Sequence, residues 1–351
     1  MNNNKVAVIA KKEFFDSIKS KTFLTIFGIF LLLMLVSSVM GINNYNKQLD
    51  QYQKSQVENQ NPDKNSVFTD FPEPKLTAVV FQEMVTNIGV IGAILAIILG
   101  YNAVSGEKER GNLKLILSYP LYREDVVNGK FFGKIGILIL TLAITSILSI
   151  ACALVMGVNL TGSDLIAIAL FMVISTLYLI TFLEISIFFS TVSKSGTSSI
   201  LYSFMFWILS TMIITSFSGV VADAMVPTDD TAFYGGKISS TNSVSIVVSD
   251  NGETNLSEDG GESTFEKYQK KWKIQNTIES LISPTQNYEQ VASAILGNDF
   301  VNSLTESDSS QNEIDMFETI SGKMSNIITM LVWAIISLVG TYVVFMRQDI
   351  R

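Results

Sequence analysis

Histidine is absent from the 351 residues, cysteine occurs once, at Cys152, and only 16% of the residues are charged. Without histidine, zinc hydrolysis of the HExxH kind, Ser-His-Asp chemistry and histidine proton relays are all excluded. A single cysteine inside an apolar run provides neither a disulfide framework nor a cysteine-based metal site. Soluble domains carry about a quarter charged residues, so the shortage of charge points to lipid as the surrounding solvent.

The chain is 48% hydrophobic, and its apolar residues are gathered into blocks rather than spread at helical or strand period. Six blocks stand out: Thr22 to Ile42, Met84 to Val104, Ile135 to Val158, Leu165 to Phe189, Thr197 to Val221 and Met324 to Met346. Each is close to the ~20 residues a helix needs to cross a hydrocarbon core. The first has a long apolar core and no small-residue cleavage site after it, so it is expected to remain as an anchor rather than be removed.

An even number of spans puts both termini on one side, and the basic residues choose that side. Lys5 to Lys21 precede the first span, Lys108 to Lys134 lie between the second and third, Lys194 follows the fourth, and Arg347 and Arg351 close the chain. These short segments hold fourteen of the 24 basic residues against seven acids, and the opposite side carries a large acidic excess. Both termini are therefore expected in the cytosol of a cell-membrane protein.

Outside, a polar loop follows span one, a tight turn lies at Asn159 to Ser163, and residues 222–323 form a small domain between spans five and six. One hairpin is expected there, Val244 to Ser249 turning at Asp250-Asn251-Gly252. The lysines between Lys267 and Lys273 read as a solvated helix face. Ser283-Pro284-Thr285-Gln286 has the spacing of a capping box with proline at the first helical position, which predicts a helix start. Tyr288, Val291, Ala292, Ile295 and Leu296 then give a short amphipathic helix ending near Gly297-Asn298. Asn159 and Asn255 fit the glycosylation pattern, and only Asn255 lies far enough from the membrane to be reached.

At the N-terminus, Val6, Ile9, Ala10, Phe14 and Ile18 recur at three- and four-residue spacing among lysines, which makes a basic amphipathic helix. It reads as an anchor on anionic lipid or as a lever that also touches a partner. The segment Ser105 to Arg123 carries more mixed charge than a plain connection needs, then Leu113, Ile116 and Leu117 on one helical face, then a stop at Pro120. It has the character of a binding loop. Glu184 lies alone in span four, about 15 Å from that helix's cytosolic end; a mid-membrane carboxylate faces protein or water and often marks a pathway. It is a candidate for a translocation path or a subunit seam, weighed evenly against a neutral, hydrogen-bonded role. Gly92, Ala96 and Gly100 in span two, and Gly129 and Gly133 at the start of span three, are stripes for close helix approach, expected within one subunit.

From Gly106 to Arg123 the loop resembles the G-E-[KR]-E-x-G-[TS]-x-x-x-L-L-x-x-P-[VL]-x-R signature of ABC-2 type permeases, departing from it at Asn112. Asn128-Gly129-Lys130-Phe131, Ser193-Lys194-Ser195 and the Ser283-Pro284 helix are similar to that family as well. The resemblance implies a permease dimer, homo- or heteromeric, seated on two ATP-binding-cassette ATPases in a lipid bilayer. It makes Glu107, Glu109, Arg110, Gly111, Leu113, Ile116, Leu117, Pro120 and Arg123 the coupling residues. The chain has no G-x-x-x-x-G-K-[ST] phosphate loop. No cofactor is expected on it, and ATP and Mg would belong to the partner ATPase; no nucleic acid is implied.

The expected fold is an all-α integral membrane protein with six transmembrane helices, a cytosolic amphipathic N-terminal helix and coupling loop, and a small α(+β) extracytoplasmic domain. Its divisions are 1–21 (cytosolic helix), 22–221 (spans one to five, with the loop at 105–130), 222–323 (outer domain) and 324–351 (span six and tail). The expected function is that of a non-enzymatic permease, exporting a cargo or working on an extracytoplasmic partner. The rivals are a membrane scaffold or sensor with a ligand-binding outer domain, and an ion-coupled carrier using Glu184. An intramembrane enzyme is the weakest, for want of a nucleophile-base or metal constellation.

Overall fold

A computed structural model of the chain describes residues 3–59, 74, 76–111, 122–158, 160–226, 264–297 and 321–348. In chain order the helices are α1 (Asn3–Ile18), α2 (Lys21–Asn59), α3 (Leu76–Asn87), α4 (Ala93–Gly100), α5 (Ser105–Glu109), α6 (Arg123–Val155) and α7 (Gly162–Val192). They continue as α8 (Gly196–Ile208), α9 (Ile214–Met225), α10 (Thr264–Ile282), α11 (Pro284–Ile295) and α12 (Met324–Arg347). Two π-turns interrupt this order, Ile88–Gly92 between α3 and α4 and Leu209–Ile213 between α8 and α9.

Among the described residues six helical runs are long and apolar enough to cross a membrane: α2, α3 through α5, α6, α7, α8 through α9, and α12, which form spans one to six. The helix of span one has 39 residues, and at 1.5 Å per residue it is about 58 Å long, against a hydrocarbon core of about 30 Å. Its polar end, from Asn43 onward, therefore stands clear of the bilayer on the outer side.

Span four is the centre of the bundle. It touches spans two, three, five and six as well as α11, and Phe171, Tyr178, Phe182 and Leu183 along it are fully buried. Span two is the most enclosed span and span five the least. Along span five Leu201, Met205, Met212, Phe217 and Val220 stay exposed, an apolar face open to the chain's surroundings.

The small-residue stripes are contact surfaces inside this one chain. A Cβ on Gly129 would lie 2.6 Å from the Cβ of Ile9, and one on Gly133 would lie 2.6 Å from the carbonyl of Ala10. α1 thus lies in a notch that glycine cuts into span three, with its Val6–Ile9–Phe14 face inward. Gly92 and Gly100 meet Leu179 and Ser186 of span four in the same way.

The α(+β) outer domain requires correction. Among the described residues the segment between spans five and six is helical, as α10 and α11, and no strand is present anywhere. The expected hairpin at Val244 to Ser249 falls outside the described residues, as do Asn159 and Asn255. The architecture is an all-α six-span bundle.

The helix expected at Ser283-Pro284 is present. Ser283 is its N-cap, with Oγ accepting from the Gln286 N–H, and Pro284 is its first residue. It ends at Ile295, and Gly297 takes the positive φ of 83° that follows a helix end. α11 is sunk among the spans. Pro284, Thr285, Asn287, Tyr288, Val291 and Ala292 are all buried, against spans four and six above all.

Candidate coupling site at the cytosolic face

Span three begins at Arg123, with Glu124 and Asp125 in its first turn, where acidic groups favour the positive end of the helix. Lys130 and Lys134 follow, one turn apart, and both turn inward with 4% and 6% of their surface exposed. Each has been given a partner. Lys130 Nζ donates to Glu13 Oε1 of α1 at 2.8 Å and to Glu107 Oε1 of α5 at 2.6 Å. Lys134 Nζ lies 3.9 Å from Glu13 Oε2 and donates to the Leu99 carbonyl at 2.7 Å.

Two carboxylates and two ammonium groups form a neutral buried set that ties together α1, the end of span two and span three. Burial alone would lift the Glu13 carboxyl, but the two lysines outweigh it and hold that group below the usual carboxylate range. Leaving any member of such a set unpaired is costly, because a buried charge without a partner keeps its full desolvation penalty.

The turn after span two is fastened on its other side to spans four and five. Ser190 Oγ accepts from the N–H groups of Val104 and Ser105, both at 3.0 Å. Lys108 Nζ donates to the carbonyls of Thr191 and Ser193, the last acceptors of span four, where a cation suits the negative helix end. The Glu109 carboxylate accepts from the Gly196 N–H at 3.1 Å, at the start of α8. Arg123 donates to the carbonyls of Phe345, Met346 and Gln348 at the end of span six, and Gln348 Nε2 reaches the Thr191 carbonyl at 2.6 Å.

Of the expected coupling residues, the structure thus brings Glu107, Glu109 and Arg123 into contacts within the bundle. Glu109 and Arg110 remain exposed at the tip, followed by Gly111 with a φ of 73° that glycine adopts without strain. Leu113, Ile116, Leu117 and Pro120 lie outside the described residues. Glu184 is 2% exposed and its Oε1 has no hydrogen-bond partner among the described residues. Asp125 is wholly buried, with neither oxygen partnered among the described residues. On span six the Tyr342 hydroxyl donates to Asn128 Oδ1.

Sequence reasoning missed Glu13, Lys130 and Lys134 as a set, reading the lysines as markers of the cytosolic side and Lys130 as part of the family resemblance at Asn128-Gly129-Lys130-Phe131. The available signal was the pair of lysines each following a glycine, Gly129-Lys130 and Gly133-Lys134. That spacing marks a notch with a cation beside it, where a neighbouring helix must approach closely and bring a carboxylate.

A family profile described as ABC-2 family transporter protein matches residues 7–350. The chain belongs to that family. Over 90 residues it is 40% identical to the probable ABC transporter permease protein NosY of Stutzerimonas stutzeri, an alignment covering 24% of this chain and 31% of that protein. Over 40 residues it is 48% identical to the protein of the same name from Pseudomonas aeruginosa, covering 11% and 14%. The chain therefore spans less than a third of the length of these two curated relatives. As an ABC-2 permease it is a multi-pass membrane protein, and among the described residues no group of His, Cys, Asp or Glu is arranged to hold a metal ion.

Proposed function

We propose that the chain is the membrane subunit of an ATP-driven exporter, worked by a separate ABC ATPase that docks at the tip around Glu109, Arg110 and Gly111. A second permease subunit completes the membrane part, and the apolar face of span five is available to it. The cargo leaves the cytosol or the inner leaflet, or the stroke is delivered to an extracytoplasmic partner through residues 222–323.

One observation carries this reading: Lys130 bonds Glu13 and Glu107 at once, so that α1, the tip and span three move as one body. A lever must be stiff between its load and its fulcrum, and a buried ion set with three fastened carbonyl ends supplies that stiffness. In this reading Glu107 works from within, as the joint, while Glu109 and Arg110 present charge to the ATPase and Leu113, Ile116 and Leu117 complete the arm. Pro120 ends that arm, and Arg123 ties it to span six. Glu184 lines the path or the seam.

The test is co-purification from membranes in mild detergent. Wild type is expected to retain an ATPase bearing a phosphate loop. Reversing Glu109 and Arg110 together, as Glu109→Lys with Arg110→Glu, is expected to weaken retention about 30-fold, since loss of a buried charge partner at an interface costs about 2 kcal/mol or more. Lys114→Ala serves as the control. Unchanged retention and unchanged stimulation of hydrolysis at physiological salt would overturn the assignment and favour a membrane scaffold.

A further inference from the structure

The two π-turns lie far apart in sequence, at Ile88–Gly92 and Leu209–Ile213, yet one line of hydroxyl groups joins them. Tyr178 Oη, on span four, donates to the Gly89 carbonyl at 2.6 Å. It also lies 3.2 Å from Thr285 Oγ1 on α11, which in turn lies 3.2 Å from Thr211 Oγ1 in the second π-turn. Each hydroxyl has one proton to give. Because Tyr178 gives its proton to Gly89, it must accept from Thr285, and Thr285 must then accept from Thr211. The chain therefore runs one way, from the π-turn of span five to the π-turn of span two, through the first turn of α11.

The surroundings hold this line rigid. The rings of Tyr178 and Tyr288 stack with centroids 4.4 Å apart, Phe182 meets Tyr178 edge-on, and Tyr288 Oη pairs with Ser175 Oγ at 3.1 Å. Both tyrosines are fully buried. α11 also closes over Gly89, where an added Cβ would come within 3.3 Å of Glu289 Oε1 and 3.8 Å of the Thr285 methyl. A π-turn holds one residue more than an α-helical turn and can return to α geometry by a shift of register, which makes it a natural pivot.

We infer that Tyr178, Thr285 and Thr211 form an outer latch, pinning spans two and five at their pivots to α11, and that opening this latch lets the outer ends of the spans part during the cycle. The latch itself rests on geometry within one chain. Its opening rests on the proposed ATP-driven function.

Hydrogen exchange of the full chain in lipid nanodiscs tests the latch without any ATPase. Tyr178→Phe keeps the ring stack and removes the hydroxyl; Thr285→Val keeps the shape and breaks the line at α11. Both are expected to speed amide exchange at 88–92 and 209–213 by roughly five- to tenfold, the equilibrium effect of losing one net hydrogen bond. Exchange in α1 and the first turns of span three should stay within about twofold, as expected for sites sharing no partners with the latch. No acceleration at the π-turns, or equal acceleration along every span, overturns the latch.

Should Tyr178→Phe fail to insert, Thr211→Val removes the first donor and is read in the same way. For the opening, Thr211→Cys with Thr285→Cys in a Cys152→Ala background places two thiols where hydroxyls now touch. With copper phenanthroline as the oxidant, the disulfide is expected to form in the resting complex and to form several-fold less when ATP is cycled by the co-purified ATPase. A yield indifferent to ATP overturns the opening role. Loss of ATPase co-purification with exchange changed as expected removes the functional reading and leaves the latch.

Discussion

Lys130 is the residue on which the cytosolic face turns, because it touches both a carboxylate from α1 and one from the tip. Lys130→Ala would strand Glu107 and leave Glu13 with only the longer contact to Lys134, and breaking a buried pair in this way costs about 3–5 kcal/mol. The variant is expected to melt well below wild type in detergent and to lose protection of α1 from proteolysis. Replacing all four charges with neutral groups of similar shape, Glu13→Gln, Glu107→Gln, Lys130→Met and Lys134→Met, removes the stranded charges and is expected to restore most of the melting temperature without the stiffness needed for coupling. If Lys130→Ala melts with wild type, the ion set contributes no stability and the joint assignment fails.

At the scale of elements, α11 is held both by its N-cap and by its seating over Gly89, and one of its carboxyl groups titrates in a useful range. Glu289 is pushed up to about 7 by burial and by the neighbouring carboxylate of Glu279 on α10.

The sign follows from linkage. A carboxyl whose folded pKa lies above its ordinary 4.5 favours the folded arrangement fully below that ordinary value, and this contribution is lost as pH rises through about 7. α11 should therefore sit more tightly at ~pH 6 than at ~pH 8, and exchange at 284–295, corrected for its intrinsic pH dependence, should rise between them. Glu289→Gln is expected to flatten that rise. The same slope in wild type and variant would assign the pH effect elsewhere.

α1 offers a second test at this scale, since its seat depends on two absent side chains. Gly133→Leu would drive a side chain into the carbonyl of Ala10 and the Cβ of Glu13, both closer than 3.0 Å to a bare Cβ. The expected result is a detached α1, read as faster proteolysis within 3–18, while the six spans still insert. An α1 as protected as in wild type would show that span three yields to admit the leucine.

The spans were legible because each carries an apolar run of the length a bilayer requires. Their ends were not, since the helix of span one continues from Asn43 to Asn59 through polar residues that give no hydropathy signal. The start of α11 was legible from Ser283-Pro284-Thr285-Gln286, a local pattern. Its depth was not, because burial of Tyr288 depends on Tyr178 in another span. The tip was marked by its charge density and its resemblance to a family signature, whereas the inward turn of Glu107 depends on Lys130, 23 positions away, and on Glu13 beyond it. Contacts of that kind have no period to read.

For the whole molecule, the decisive physical quantity is how charge is divided across the bilayer. The short segments before span one, between spans two and three, after span four and after span six hold fourteen basic and seven acidic residues, and the remaining loops hold ten basic and 24 acidic ones. The buried ion cluster agrees with that division. Glu13, Glu107, Lys108, Lys130 and Arg123 meet at one end of the bundle, while α10 and α11 meet spans four and five at the other. Basic residues in short loops resist translocation, so the first end is retained in the cytosol. Single cysteines in a Cys152→Ala background, Leu115→Cys and Asn255→Cys, report the two sides directly. An impermeant thiol reagent applied to intact cells is expected to label position 255 and to reach 115 only after the membrane is broken. Labelling at 115 with none at 255 would invert the molecule, place the ion set outside, and take away the surface on which a cytosolic ATPase could act.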